Sequence, residues 1–160
     1  MSVEGFLCQA IELAKDNIRE GGRPFAAVVV KDGKVIATGV NEMHRSNDPT
    51  DHAELVALKK ATRALGSPRL DGCEVYASGH PCPMCYAAMR LLGVSSVAHA
   101  YSQQDGEPYG LSTAPIYAEM TRPLSEGAMK FAHVPVQSAS SENIYAMWAE
   151  QNKPRETPAT

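Results

Sequence analysis

Two short segments of this 160-residue chain concentrate side chains that could do chemistry: Asp51-His52-Ala53-Glu54 and His80-Pro81-Cys82-Pro83-Met84-Cys85. Each stands at the start of a predicted helix. Cys82 and Cys85 are three residues apart, so their side chains share one face of a first helical turn, where the helix dipole and a bound cation both favour thiolates. His52 lies thirty residues earlier and can add a neutral imidazole. One nitrogen and two sulfurs make a tetrahedral zinc set with one position open. An open position marks a catalytic zinc, because water held there has its pKa lowered to about 7 and becomes a nucleophile at neutral pH. Glu54 is the natural proton carrier beside such a site. Residues two apart sit about 200° around an ideal helix axis, so His52 and Glu54 can converge only at the helix end.

Residue types alone leave other readings open. A closed structural zinc needs a fourth protein ligand, and Cys8, Cys73, His44, His80, His99 and His133 are available, although none belongs to a second close-spaced pair. A redox pair at Cys82 and Cys85 would not require His-Ala-Glu upstream. Cys8, on the apolar stripe of the first helix, and Cys73, at the start of a strand, read as small core residues. His99 and His133 read as structural histidines, and Lys59, Lys60, Arg63 and Arg69 as a solvated face.

The elements that must position these groups follow from hydrophobic periodicity. Residues 5–20 carry apolar positions at helical spacing up to Gly21-Gly22. Residues 25–30 and 35–40 are β-prone runs joined through Asp32-Gly33, which predicts a hairpin. A polar loop over 41–51 leads to a largely buried helix over 52–65, stopped by Gly66. A strand over 73–78, a helix over 83–92 with proline at its first position, and a strand over 94–101 come next. The remainder predicts a loop over 103–115, a short helix over 116–120, a fifth strand over 131–136 interrupted by Pro135, and a terminal helix over 142–151. This order predicts an α/β fold with a central sheet and helices on both faces. A single domain over 1–150 is expected, followed by a polar tail over 151–160 that is disordered or docked as a lid.

Composition narrows the class. Hydrophobic residues at 44% and charged residues at 21% are too balanced for disorder, and no stretch approaches the ~18 apolar residues of a membrane span. Fifteen basic against eighteen acidic residues leave a net charge of −3, with no dense basic stripe interleaved with aromatics, which favours a small-molecule substrate over a nucleic acid. Met1-Ser2-Val3-Glu4 lacks the basic start and apolar run of a signal peptide, so a cytoplasmic location with reduced thiols is expected.

The pattern His-x-Glu followed by Pro-Cys-x-x-Cys resembles the signature of zinc-dependent deaminases. With Pro24-Phe25-Ala26-Ala27-Val28-Val29-Val30, Ser46-Asn47-Asp48-Pro49-Thr50 before the histidine motif, and Leu70-Asp71-Gly72-Cys73, the chain is similar to the cytidine deaminase superfamily, and within it to the small bacterial guanine deaminases. The resemblance implies a three-layer α/β/α sandwich with a central five-stranded mixed sheet and one zinc per subunit on His52, Cys82 and Cys85. It implies Glu54 as acid and base, and a homodimer whose C-terminal segment exchanges between subunits. It further implies that Phe25, Asn41 and Ala53 meet the substrate ring. For the terminal segment around Tyr145 and Trp148 two readings stay open, a lid over the active site or a helix simply packed on the sheet. The implied reaction is hydrolytic deamination of guanine or a related aminopurine. Other free bases, nucleosides, pterins and aminotriazines are alternatives, as are a tRNA adenosine deaminase and a non-catalytic zinc-stabilised binding module. Two departures stand out. The family reads Ser-Cys-Glu-Pro-Cys where this chain has Ser78-Gly79-His80-Pro81-Cys82, which puts His80 beside the ligands, and the loop over 110–115 has no acid where guanine deaminases carry aspartates.

Overall fold

A computed structural model of the chain describes residues 1–140 and 142–154. It divides into two units, Met1–Thr121 and Arg122–Thr160. The first unit holds a four-stranded sheet in the order β2-β1-β3-β4, with β1 at Ala26–Lys31, β2 at Lys34–Val40, β3 at Cys73–Gly79 and β4 at Ser96–Tyr101. β1 runs antiparallel to both neighbours, and β3 and β4 run parallel. The hairpin turns at Asp32 and Gly33, both with positive φ, as the tight turn of a right-twisted hairpin requires.

Alternation along β1 builds two cores. Ala27 and Val29 face one side, where they pack with Ala53, Ala57, Leu58 and Ala61 of α3 (Ala53–Leu65) and with Cys85 and Met89 of α4 (Pro83–Leu92). Val28 and Val30 face the other side and meet Phe6 and Ala10 of α1 (Val3–Arg19), together with Tyr76. Helices therefore cover both faces, as the hydrophobic pattern implies. The parallel pair β3 and β4 needs a crossover, and α4 supplies it.

α3 lies unusually close to β2. Ala53, Ala57 and Ala61 recur every four residues and present a stripe of methyl groups to the sheet. Gly39 answers them, since a Cβ placed there would sit 2.6 Å from both the Ala53 carbonyl oxygen and the Ala57 nitrogen. Two stretches predicted as loops contain helical turns: α2 (Met43–Ser46), α5 (Gln103–Gly106) and a 3₁₀ turn at Glu107–Tyr109. The short helix α6 spans Ala114–Glu119, two residues earlier than predicted, with Pro115 in its first turn.

The second unit contains a 3₁₀ turn at Leu124–Glu126 and helix α7 (Ile144–Gln151), whose N-cap Asn143 accepts from the Tyr145 and Ala146 amides. The predicted fifth strand over 131–136 does not form, so the sheet has four strands rather than five. Pro135 offers no N–H to a ladder and breaks the run after Val134. Tyr145 and Trp148 lie on α7 and are exposed. Of the expected polar tail over 151–160, residues 155–160 lie outside the described residues.

Gly39→Ala is expected to lower the unfolding free energy by about 1–3 kcal/mol, because neither backbone atom it meets can move without shifting the start of α3. Urea denaturation checks this as a lowered midpoint at unchanged slope.

Candidate metal centre and cavity

His52 and Cys82 occupy equivalent positions, each the N-cap residue of its helix with extended backbone, φ −69° and ψ 153° for His52 and φ −69° and ψ 166° for Cys82. Neither side chain caps its own helix, so both are free to point at something else. They point at each other. His52 Nδ1 lies 3.4 Å from Cys82 Sγ and 3.6 Å from Cys85 Sγ. The N-cap position also removes the angular problem read from the sequence: His52 lies outside the helix, so Glu54 in the first turn can approach the same point.

Among the described residues, His52, Cys82 and Cys85 form the one group of three potential ligands, with all donor atoms within 4.8 Å of one another. Tetrahedral zinc with Zn–N of about 2.0–2.1 Å and Zn–S of about 2.3 Å needs N···S separations of about 3.6 Å, which the two observed contacts match. The electrostatics agree. Cys82 is held well below the usual thiol range, first by its hydrogen bond with Cys85 and then, against the opposing effect of burial, by that with His52. Cys85 is pushed up by the same thiol pair and by burial, so the two sulfurs share one negative charge. The His52 imidazole is raised, chiefly by its hydrogen bond with Cys82. A divalent cation is the group that would let both thiols ionise together.

Glu54 is 5% exposed, and burial pushes its carboxyl above the ordinary range, with the hydrogen bond to Cys85 opposing that shift. It lines a cavity of about 130 Å³ with His52, Cys82, Phe25, Asn41 and His80, closed on one side by the loop from Gly110 to Thr113. Asn41 is buried and anchored on both sides: its backbone N–H donates to the Phe25 carbonyl at 3.1 Å, and its own carbonyl accepts from Asn17 Nδ2 at 3.0 Å. Ala53 is fully buried in the core beneath Glu54 and is not among the cavity-lining residues.

His80 packs edge-on against His99 and Tyr117, with ring centroids 4.7 and 5.3 Å away. Its neighbour Gly79 leaves room for the Phe25 ring, which a Cβ there would meet at 3.2 Å. Sequence reasoning did not single out Tyr117, Gln103 or Thr113. The Tyr117 hydroxyl donates to the carbonyl of Pro81, the residue before the first thiol ligand, and its pKa is pushed up to about 12 by burial and by the negative charge of Cys82, Cys85 and Glu54. Gln103 ties the cavity loop to the sheet. No spacing rule marks these residues, because their partners lie ten to thirty-six residues away. Elsewhere Cys8 is exposed rather than part of the apolar stripe, Cys73 is buried as expected, and Lys59 is not simply solvated but pairs with Asp51 at 2.7 Å.

Comparison with known proteins places this geometry. The model of the cytidine and deoxycytidylate deaminase zinc-binding region matches residues 1–101. The chain is 42% identical to a guanine deaminase of Bacillus subtilis over 135 residues, covering 84% of this chain and 86% of the relative. The crystal structure of a Bacillus subtilis guanine deaminase superposes with a TM-score of 0.83 at 37% identity, over 98% of both chains. A tRNA-specific adenosine deaminase of Aquifex aeolicus is 33% identical over 140 residues, covering 88% of this chain and 90% of the relative.

The purified protein is expected to carry one zinc per chain by elemental analysis. His52→Ala and Cys85→Ser should each bring that ratio close to zero, whereas Glu54→Gln should leave it unchanged.

Proposed function

The chain belongs to the cytidine and deoxycytidylate deaminase zinc-binding family, and from that premise we propose that it is a zinc-dependent aminohydrolase converting guanine or a related aminopurine, with water, to the oxo product and ammonia. The observation that carries the chemistry is the meeting of two helix N-caps at His52 and Cys82 with a buried carboxylate, Glu54, beside them. The substrate class rests on the 42% identity to a guanine deaminase. A cavity of about 130 Å³ suits one small heterocycle, being well below the roughly 300 Å³ at which drug-sized ligand pockets begin. The net charge of −3 argues in the same direction, against a tRNA substrate.

His52, Cys82 and Cys85 would hold the zinc, which when bound supplies the Lewis acidity that makes water a nucleophile at neutral pH. Glu54 takes the proton that the attacking water loses as the new C–O bond forms. Its raised affinity for that proton follows from burial. It passes the proton to the adjacent ring nitrogen, and a second transfer through the same carboxyl protonates the exocyclic amine as the C–N bond breaks. Phe25 supplies an apolar wall and Asn41 a fixed amide against the ring. The backbone of Ala53, the residue between His52 and Glu54, would set the floor under it. His80 would shape the surroundings of the thiol ligands through its packing on Tyr117.

The same reading includes a cytoplasmic homodimer, with the C-terminal segment around Tyr145 and Trp148 exchanged between subunits as a lid. It is supported by four free thiols and by the exposed aromatic side chains of α7. No helix among the described residues is long and apolar enough to cross a membrane.

Glu54→Ala should lower ammonia release from guanine by about 10²–10⁴-fold while keeping its zinc. Ammonia release at near wild-type rate would sink the assignment of Glu54, and failure of the wild-type zinc protein to deaminate any aminopurine would sink the function. Light scattering should return twice the chain mass of 17.2 kDa. Truncation after Ala146 should keep zinc and raise KM, and unchanged KM would remove the lid.

A further inference from the structure

The loop that closes the cavity has a hydrogen-bond polarity that can be read atom by atom. The Thr113 backbone N–H lies 2.9 Å from Gln103 Oε1. A backbone N–H can only donate, so this contact fixes which way round the Gln103 amide sits. Its NH₂ group then faces Thr113 Oγ1 at 2.8 Å and must donate to it. The same nitrogen lies 3.2 Å from His80 Nδ1, whose shorter contact, 2.9 Å, is with the Pro81 carbonyl oxygen. Ser112 repeats the pattern, since its Oγ accepts from the Ala114 N–H at 3.2 Å. Both hydroxyls therefore have one of their two lone pairs occupied from behind and keep their own hydrogen to give. Asn41 is oriented in the same way. Its Oδ1 accepts from the Met43 N–H at 3.1 Å, and its NH₂ faces the weak acceptor Met43 Sδ at 3.5 Å. Among the residues lining the cavity, Glu54 is the one carboxylate, and Arg23 adds a further donor.

We propose that Ser112 and Thr113 offer their hydroxyl hydrogens as a donor wall to a substrate edge carrying acceptors, an oxo group or an unprotonated ring nitrogen, and that Gln103 is the positioning residue that fixes the Thr113 hydroxyl. This rests on the deaminase reading and sharpens its substrate class to aminated rings that also carry such acceptors. A purely structural Gln103 would stiffen the loop without discriminating among ring edges.

The experiment is a kinetic cycle between wall and substrate on the zinc-loaded enzyme at fixed pH. Guanine, 7-deazaguanine (lacking the N7 acceptor) and 6-thioguanine (a weakened oxygen acceptor) are compared on wild type, Ser112→Ala, Thr113→Val, Thr113→Ser and Gln103→Glu. Removing a wall donor should raise KM for guanine by about tenfold to hundredfold with much less change in kcat, and Thr113→Ser should restore it. One of the two analogues should be a poorer substrate than guanine for wild type but not for Thr113→Val or Ser112→Ala. Gln103→Glu provides a second arm that keeps every atom position filled. Its carboxylate still accepts from the Thr113 N–H but draws the Thr113 hydroxyl hydrogen toward itself, so its KM for guanine should rise as in Thr113→Val. Equal discrimination among the three bases by wild type and every wall variant overturns the donor wall while leaving the deaminase reading intact. Absence of ammonia release from all three bases by wild type overturns both.

Discussion

Everything in the first unit depends on two helices beginning at the same point. The 3.4 and 3.6 Å contacts of His52 with the two thiols span the gap between the N-terminus of α3 and that of α4. Bringing two positive helix ends together with two partly ionised sulfurs and a carboxylate is favourable only because the charges have opposite sign. Neither N-cap side chain satisfies its own helix, so each helix gives up a stabilising cap of about 1 kcal/mol. That sacrifice makes sense if those side chains are needed for a cation, whose binding free energy returns the stability.

The sheet makes the meeting possible by its directions. β2, β3 and β4 all end where β1 begins, because β1 is antiparallel to its two neighbours and β3 is parallel to β4. Phe25 precedes β1, Asn41 follows β2, His80 follows β3 and Gln103 follows β4, so one edge of the sheet delivers four residues from distant parts of the chain. Short bonds then lock them laterally. Asn41 is held to Phe25 through the backbone, and His80 N–H donates to the Tyr101 carbonyl at 2.9 Å. The height of α3 over this edge is set by Gly39 and the alanine stripe, so a packing decision in the core decides whether Glu54 reaches the cavity.

Much of this was legible because its signals are local. Asp32-Gly33 announces the hairpin, Gly66 and Gly93 stop α3 and α4, and Pro83 marks the first turn that carries both thiols. The His52, Cys82 and Cys85 set could be named because zinc chemistry restricts residue type and spacing, and the full pattern with Glu54 because it resembles the zinc deaminase signature. The fifth strand was misread because an apolar run with β-branched residues looks like a strand until it is asked for a ladder, and Pro135 cannot supply one. Tyr117 and Gln103 were invisible for a different reason. A single hydroxyl or amide acquires meaning only from the partner that the tertiary fold brings to it, and no periodicity encodes that partner.

The departures from the family pattern fit together once the loop is seen in place. Gly79 gives the Phe25 ring its space, and His80 meets Gln103, which in turn orients Thr113. An ionised acid in the loop could only accept hydrogen bonds from the ring, whereas these hydroxyls can also donate to it. Replacing one by the other adds donors to one wall while leaving His52, Cys82, Cys85 and Glu54 untouched. The proposed reaction and the proposed reading of the ring thus fall to separate parts of the structure: the two helix N-termini for the chemistry, and a loop fastened by one glutamine for the choice of substrate.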